Sequence, residues 1–373
     1  MKVIKRSTVS AWNDFSENTS QSFPGIAVTP SGKIIVSWRN APQKESLSGQ
    51  NVFYSISDDG GNSWSTPENV FRAPMLNSCP GTFRTGFPSW VNGKLCMTLC
   101  WVDDSIPGRP FFKEENSGLL DCRIFLSESE DNGKTWSQPQ FIDSAPFGHL
   151  STPTTGPLLA FSNGEKVLQF ELNKTYDSRE VWRHLPVLKF SGSKDLIFNR
   201  HAIPAEDPEN NIFYWDQRPL ILQDDAIVNF YWTWDNASNS YRNIHMSYSD
   251  DRGSTWTAPA DTGLPGQAGQ PVEFSNGALL LPLVDRTGIP KIAAGISFDR
   301  GRTFQPETLE ISSLENKKQT SKQNHVNGAW NEMTKFSLGL PAGIASGHDT
   351  AYIVWYEGED TDRTNIEFAE ISL

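Results

Sequence analysis

The sequence has little with which to hold a metal, cross a membrane or grip nucleic acid. Its 373 residues include 4 cysteines and 6 histidines. No CxxC or HExxH spacing joins them, so neither a metal site nor a cofactor is expected. No apolar run approaches the length of a membrane helix, about 18 residues. The opening MKVIKRSTVSAWNDF has basic residues but lacks the apolar stretch of a secretory leader. The chain as it stands is therefore expected in the cytoplasm, and outside it only if a leader has been removed. Basic residues are outnumbered, 32 against 44 acidic ones for a net charge of −12, and they form no run or stripe. That excludes a nucleic-acid partner. Cys79, Cys96, Cys100 and Cys122 fall in one quarter of the chain. Cys96 and Cys100 lie four apart in one apolar stretch, and all four are read as reduced core thiols.

What is present is aromatic and repetitive. Thirteen Trp and 22 Phe occur in a chain whose mean hydropathy is −0.46. Most are expected in a β-sheet core, but aromatics beside carboxylates also line carbohydrate sites. The stretches SISDDGGNSW, LSESEDNGKTW, SYSDDRGSTW and GISFDRGRTF end at Trp64, Trp136, Trp256 and Phe304. They are copies of one pattern, Ser-x-Asp-x-Gly-x-Ser/Thr-aromatic. In a turn between strands the Asp can accept backbone N–H groups, the Gly can take positive φ and the aromatic can pack inward. Asp59, Asp131, Asp251 and Asp299 are accordingly scaffold residues on an outer rim.

A larger unit contains the first. Prolines 24, 88, 153, 219, 271 and 341 each open an apolar strand, a tight turn, a second β-branched and aromatic strand and then a charged residue. Their spacings of 64, 65, 66, 52 and 70 define six units. A third strand leads into each copy of the short pattern and a fourth follows it; in unit three SGSKDLIF (191–198) is a worn copy. Unit six ends after its third strand, TNIEFAEISL, and the N-terminal STVSAWNDF can supply the fourth and close a ring. Six radial copies of four antiparallel strands form an all-β, six-bladed β-propeller, which lets 373 residues stay one domain without a giant core.

The copies SDDGGNSW, SEDNGKTW, SDDRGSTW and SFDRGRTF resemble the Asp-boxes, or BNR repeats, of the sialidase superfamily, whose members are six-bladed propellers. The resemblance implies a carbohydrate substrate. It also implies a Phe/Tyr-Arg-Ile-Pro motif on the first axial strand, whose Arg joins a triad on the substrate carboxylate. Here that place reads SFPGI, with Pro24 and Gly25 where Arg and Ile would stand. The family's acid/base Asp is expected shortly after the next Arg, where WRNAPQKES offers no Asp and only Glu45. Its nucleophilic Tyr, expected on the first strand of the last blade, is absent from LGLPAG.

Other residues are therefore candidates. Second strands of a propeller end on the face where first strands begin. Arg39, Asp103 with Asp104, Glu171, Asp235, Asp285 with Arg286, and Tyr356 with Glu357 all sit about fifteen positions after their prolines. Trp38, Trp101, Trp234 and Trp355 flank them as an expected stacking wall. WDQRP adds Asp216 and Arg218, GQAGQP adds Gln267 and Gln270, and Arg84 is a reserve cation. Guanidinium groups bind carboxylates bidentately, so Arg39, Arg218 and Arg286 are expected to take over the lost triad. Glycoside hydrolysis needs an acid and a base or nucleophile across one bond. Glu171, Asp216 and Asp285 are the expected carboxyls, Asp103 or Asp104 the reserve acid, and Tyr356 with Glu357 the next pair. The sequence reads as an exo-acting hydrolase of a terminal acidic, sialic-acid-like sugar. Two alternatives stand: a glycan-binding propeller without catalysis, and a uronate lyase in which His149, His201 or His245 serves as base with a Tyr.

Overall fold

The computed structural model describes residues 1–193, 196–314 and 335–373. Among the described residues the regular structure is strand, joined by turns and loops, with one 3-10 turn, Trp12–Asp14. Six antiparallel sheets follow one another around an axis as the blades of a propeller. Blade one holds Ser20–Val28, Ile34–Ala41 and Asn51–Ser57; blade two holds Gly81–Val91, Lys94–Asp103, Cys122–Ser129 and Gln140–Ile142. Blade three holds Leu159–Ala160, Lys166–Leu172, Leu185–Ser191 and Phe198–Ala202, and blade four Ile212–Ile221, Ile227–Asp235, His245–Ser249 and Ala260–Asp261. In blade five the axial strand is broken into Gln267–Ala268 and Val272–Glu273, followed by Leu279–Asp285, Lys291–Ser297 and Leu309–Ser313. Blade six holds Leu338–Ala345, Thr350–Gly358 and Thr364–Ser372, and its outer strand is Lys2–Ser10 from the start of the chain. This pairing, with Lys2 opposite Ser372, closes the ring. Among the described residues no helix is long and apolar enough to cross a membrane.

The second strand of each blade explains why those segments read as continuous apolar runs. Ile34–Ala41, Ile227–Asp235 and Leu279–Asp285 are buried at every position. Each is flanked by strands on both edges and by neighbouring blades on both faces, so neither side alternates with polar residues.

The Asp-boxes have one geometry in four places. In the box of blade four, Ser249 Oγ accepts the Gly253 N–H at 2.8 Å and donates to Asp251 Oδ1 at 2.8 Å. Asp251 Oδ1 then accepts the N–H of Thr255 at 2.8 Å, and Oδ2 accepts its hydroxyl at 2.7 Å. The boxes at Asp59, Asp131 and Asp299 repeat these bonds. Each box glycine has positive φ and also stands against the blade before it. A Cβ on Gly61 would lie 2.6 Å from the Phe368 ring, one on Gly253 2.5 Å from Phe190, and one on Gly301 2.8 Å from Phe230. The box is thus a turn and a seam between blades. The worn copy at 191–198 starts at the end of Leu185–Ser191, and its Lys194 and Asp195 lie outside the described residues.

The N–H of Thr255, with its hydroxyl, holds the Asp251 carboxyl down at about 2. Its folded-state value lies below the ordinary Asp value of about 3.9. The box therefore contributes stability that is present above about pH 4 and lost as pH falls towards about 2. Replacing Asp251 with Ala leaves these donors without their acceptor. The expected cost is about 1–2 kcal/mol, read as a lower urea midpoint with unchanged activity per folded molecule.

Candidate functional site

The axial strands carry the site because they are irregular at one level. Pairing registers slip between Ser22 and Gly25, Phe83 and Thr85, Trp215 and Arg218, and Gly339 and Ala342. Each slip is a β-bulge, which turns an extra side chain away from the sheet. Phe23, Asp216 and Leu340 take left-handed φ of 56°, 51° and 44° there. Together with Arg84, these residues line an axial cavity of about 650 Å³. In Phe23 and Leu340 the strained residue precedes a proline, Pro24 or Pro341, which cannot donate to the ladder in any case.

At Asp216 the bulge is held by a carboxylate. Glu171, at the end of Lys166–Leu172, accepts the backbone N–H groups of Asp216 and, at 3.3 Å, Gln217. Its other oxygen meets His184 Nε2 at 2.9 Å. Glu171 and His184 are both buried. Asp216 itself stands 2.7 Å from Arg218 and accepts the side-chain N–H of Gln267 at 2.6 Å. Burial pushes its carboxyl up; Arg218 opposes this and the neighbouring Glu171 adds to it. Gln267 in turn accepts an Arg286 N–H at 3.0 Å, so a polar chain runs Arg218, Asp216, Gln267, Arg286 along the wall.

A second group is cationic. Lys44, on the loop after Ile34–Ala41, is buried in the cavity wall with Arg39, Arg84 and Arg286 around it. Burial first, and then these guanidiniums, hold its amine well below the ordinary lysine range. Its Nζ lies 3.8 Å from the centre of the Tyr356 ring. Arg84 stacks on Phe111 at 4.1 Å. Arg286 reaches the Leu338 carbonyl at 2.8 Å beneath Gly339, where a Cβ would sit 2.3 Å from its guanidinium and 2.9 Å from the Tyr356 hydroxyl. The cavity is lined by Lys44, Arg84, Arg109, Arg218 and Lys335 against Glu45, Glu171 and Asp216, an excess of cations in a chain of net charge −12.

Of the residues expected from the sequence, Glu171, Asp216, Arg84, Arg218, Gln267 and Gln270 line the cavity. Gln270 also donates to the Pro219 carbonyl at 2.7 Å. Arg39 and Arg286 do not line the cavity but lie beside Lys44, which does, whereas Arg218 lines it and is paired with Asp216. Asp285 is turned to Thr287 and Lys291, and Asp103 caps the N–H of Ser105. Burial and Asp103 push Asp104 up, but neither residue lines the cavity. Asp235 is bound to Arg242. Tyr356 and Glu357 do not form a pair, because successive strand residues face opposite ways. Tyr356 points to Arg286 and is pushed up to about 12 by burial, while Glu357 accepts Ser312 and Trp355 at 2.6 Å. Trp38, Trp101, Trp234 and Trp355 make no stacking wall: all four are buried in the sheets, Trp101 donating to Pro74 and Trp234 stacked 6.0 Å from Trp215. His149, His201 and His245 are likewise off the cavity; His201 packs on Phe147 and His245 on Tyr214. His184 and Lys44 were not singled out in the sequence. Glu45, in the sequence only the one carboxylate of a stretch that lacks the family's Asp, lines the cavity.

The cavity of mixed carboxylates and cations lies on the axis of a six-bladed propeller that, among the described residues, carries an Asp-box in four of its blades. The chain belongs to the BNR repeat-like domain family, whose pattern matches residues 111–348. It is 24% identical over 216 residues to a sialidase of Micromonospora viridifaciens, a match covering 50% of this chain and 32% of that protein. The chain thus corresponds to about a third of that curated relative's length. Among solved structures it is similar to the Hadza microbial sialidase Hz136, with TM-score 0.67, 16% identity, and 99% of this chain and 68% of that one covered. It is also similar to the α-L-arabinanase of Penicillium chrysogenum complexed with arabinobiose, with TM-score 0.66, 14% identity, and 100% and 99% covered. These likenesses show a sialidase-type propeller fold.

The Glu171 carboxylate satisfies two bulge amides and His184. Its replacement by Ala leaves them buried without an acceptor and frees Asp216 to relax from left-handed φ. The expected loss is about 2–4 kcal/mol of stability in thermal unfolding, with any hydrolytic activity falling with it.

Proposed function

We propose that the chain is an exo-acting glycoside hydrolase that removes a terminal acidic sugar from a glycan. One observation carries the reading: Asp216 is held by a strained bulge at the wall of a cationic axial cavity, and burial favours its protonated form. A carboxyl in that state serves as a general acid, giving its proton to the glycosidic oxygen as the bond to the anomeric carbon breaks. Hydrolysis requires a second group across the bond. Glu45 takes that part, from the loop after Ile34–Ala41 in blade one. In a six-fold ring blade one stands opposite blade four, which carries Asp216. Glu171 is a positioning residue, since both of its oxygens are engaged in holding Asp216 and His184. The surplus of cations favours a sugar bearing an anionic group.

Glycan binding without catalysis has one observation in its favour: the last axial strand places Gly339 opposite Tyr356, with that ring turned to Arg286 instead of into the cavity. A panel of sialosides, uronides, sulfated and neutral glycosides separates the readings. Turnover of an anionic member is expected, with Asp216→Asn and Glu45→Gln each lowering kcat by at least about 10²-fold and changing KM little. Because the Asp216 value is raised, the rate is expected to fall on the alkaline side as that carboxyl loses its proton. Binding of an acidic glycan without turnover would establish a lectin-like propeller, and an unsaturated uronate product would establish a lyase.

A further inference from the structure

Lys44 is 4% exposed, and its Nζ has no hydrogen-bond acceptor among the described residues. Arg39 faces it from Ile34–Ala41, Arg84 from Gly81–Val91, Arg286 from the end of Leu279–Asp285, and Tyr356 from Thr350–Gly358. The acid acting on it is Asp362, from the turn before Thr364–Ser372. That carboxylate accepts the backbone N–H of Lys44 at 3.0 Å, not its amine. Glu45, next in the chain, is exposed. An ammonium at this point would be desolvated, without an acceptor and among three guanidiniums. Each of these conditions favours the neutral amine.

The cluster nonetheless has the form of a binding site. Arg39 Nη1, Arg84 Nη1 and Arg286 Nε are also buried without an acceptor among the described residues. Buried donors are rarely left unpaired, and here four of them share one corner. Lys44 and Arg84 reach the cavity from this corner. The acceptor they lack is one that a ligand can bring, and the group that satisfies cationic donors most strongly is an oxyanion.

We propose that Lys44 and Arg84, backed by Arg39 and Arg286, form an oxyanion subsite whose occupancy puts a proton on Lys44, so that an acidic ligand and a proton bind together. The proton comes from solvent to the amine lone pair, and the resulting ammonium donates to the bound oxyanion. The subsite lies in the cavity that the hydrolase reading assigns to substrate and rests on that assignment, but it operates without turnover. Its ligand is a carboxylate or sulfate group, as carried by a uronic or a sulfated sugar. Linkage sets the consequence. Where Lys44 is neutral before binding and charged after it, affinity for an anion of fixed charge falls by up to about tenfold for each unit of rising pH.

Calorimetry with the full chain tests this, using D-glucuronate, inorganic sulfate and, as neutral control, D-glucose. Titrations near about pH 8 in two buffers of different ionisation enthalpy are expected to show uptake of close to one proton per anion bound. Glucose is expected to bind without uptake or not at all. Stronger binding of one anion identifies carboxylate or sulfate as the preferred group. Lys44→Met is expected to abolish the uptake and weaken the anion roughly tenfold or more. Lys44→Arg is expected to bind with no uptake, since a guanidinium stays charged, and it carries the test should the Met variant fail to fold. Anion binding without proton uptake in the native protein overturns the proposal. So does uptake that survives in both variants, or failure of both anions to bind. A chain that binds anions in this way yet cleaves no member of the glycoside panel would refute the hydrolase reading alone.

Discussion

The structure depends on a missing side chain. At each Asp-box the glycine must take positive φ to complete the turn, and it must also leave room for a ring or aliphatic side chain from the blade before it. The two demands fall on one residue, so the turn that finishes a blade also sets its distance from its neighbour. Blade spacing in turn sets the width of the axis, where the cavity lies. A motif with no atom in the cavity thereby controls the dimensions of the cavity.

Within that frame, the site arises from departures from regularity. Regular axial strands would hide alternate side chains in the blade faces; the bulges at Phe23, Arg84, Asp216 and Leu340 turn one residue per blade inward. The left-handed conformations are unfavourable by about 1–3 kcal/mol each and persist only where the surroundings enforce them. At Asp216 the enforcement is visible, because the buried Glu171 carboxylate gathers the two amides that the bulge exposes. The same low-polarity surroundings that strengthen this contact also raise the Asp216 carboxyl. Holding the residue and tuning it are one physical effect.

The architecture was legible in the sequence because it is repeated. Six prolines in phase and four copies of the box report the blade number, and the unpaired third strand of the last unit reports the ring closure by Lys2–Ser10. The site was less legible, because what places a side chain on the axis is a register slip, and a slip has no period. Counting fifteen residues from each proline finds strand ends but not facing. It selects Glu171 and also Asp103, Asp235, Asp285 and Glu357, which turn to local partners. The tryptophans expected to wall the cavity, Trp38, Trp101, Trp234 and Trp355, are core residues buried in the second strands. Lys44 carries no signal in its loop, since APQKES reads as ordinary polar sequence and its burial comes from partners up to several hundred positions away. The resemblance to sialidases pointed to a missing arginine and a missing tyrosine. In the folded chain, cations and a tyrosine do gather near the axis, but from second strands, a loop and, for Arg84, the axial strand of blade two.

The bulge level has a consequence for how such a protein changes. Phe23, Arg84, Asp216 and Leu340 each reach the cavity from a register slip in a different blade, yet they are aromatic, cationic, acidic and aliphatic. The slip is made by the backbone, and side chains of four chemical kinds fill it. A substitution there alters the chemistry of the axis while leaving the strand pairing and the seams between blades untouched. The propeller therefore separates durability from specificity: one set of positions is constrained by geometry, and another rotates through side-chain types. Reassigning the ligand of this fold is a matter of redressing a few such positions, with no need to rebuild the wheel that carries them.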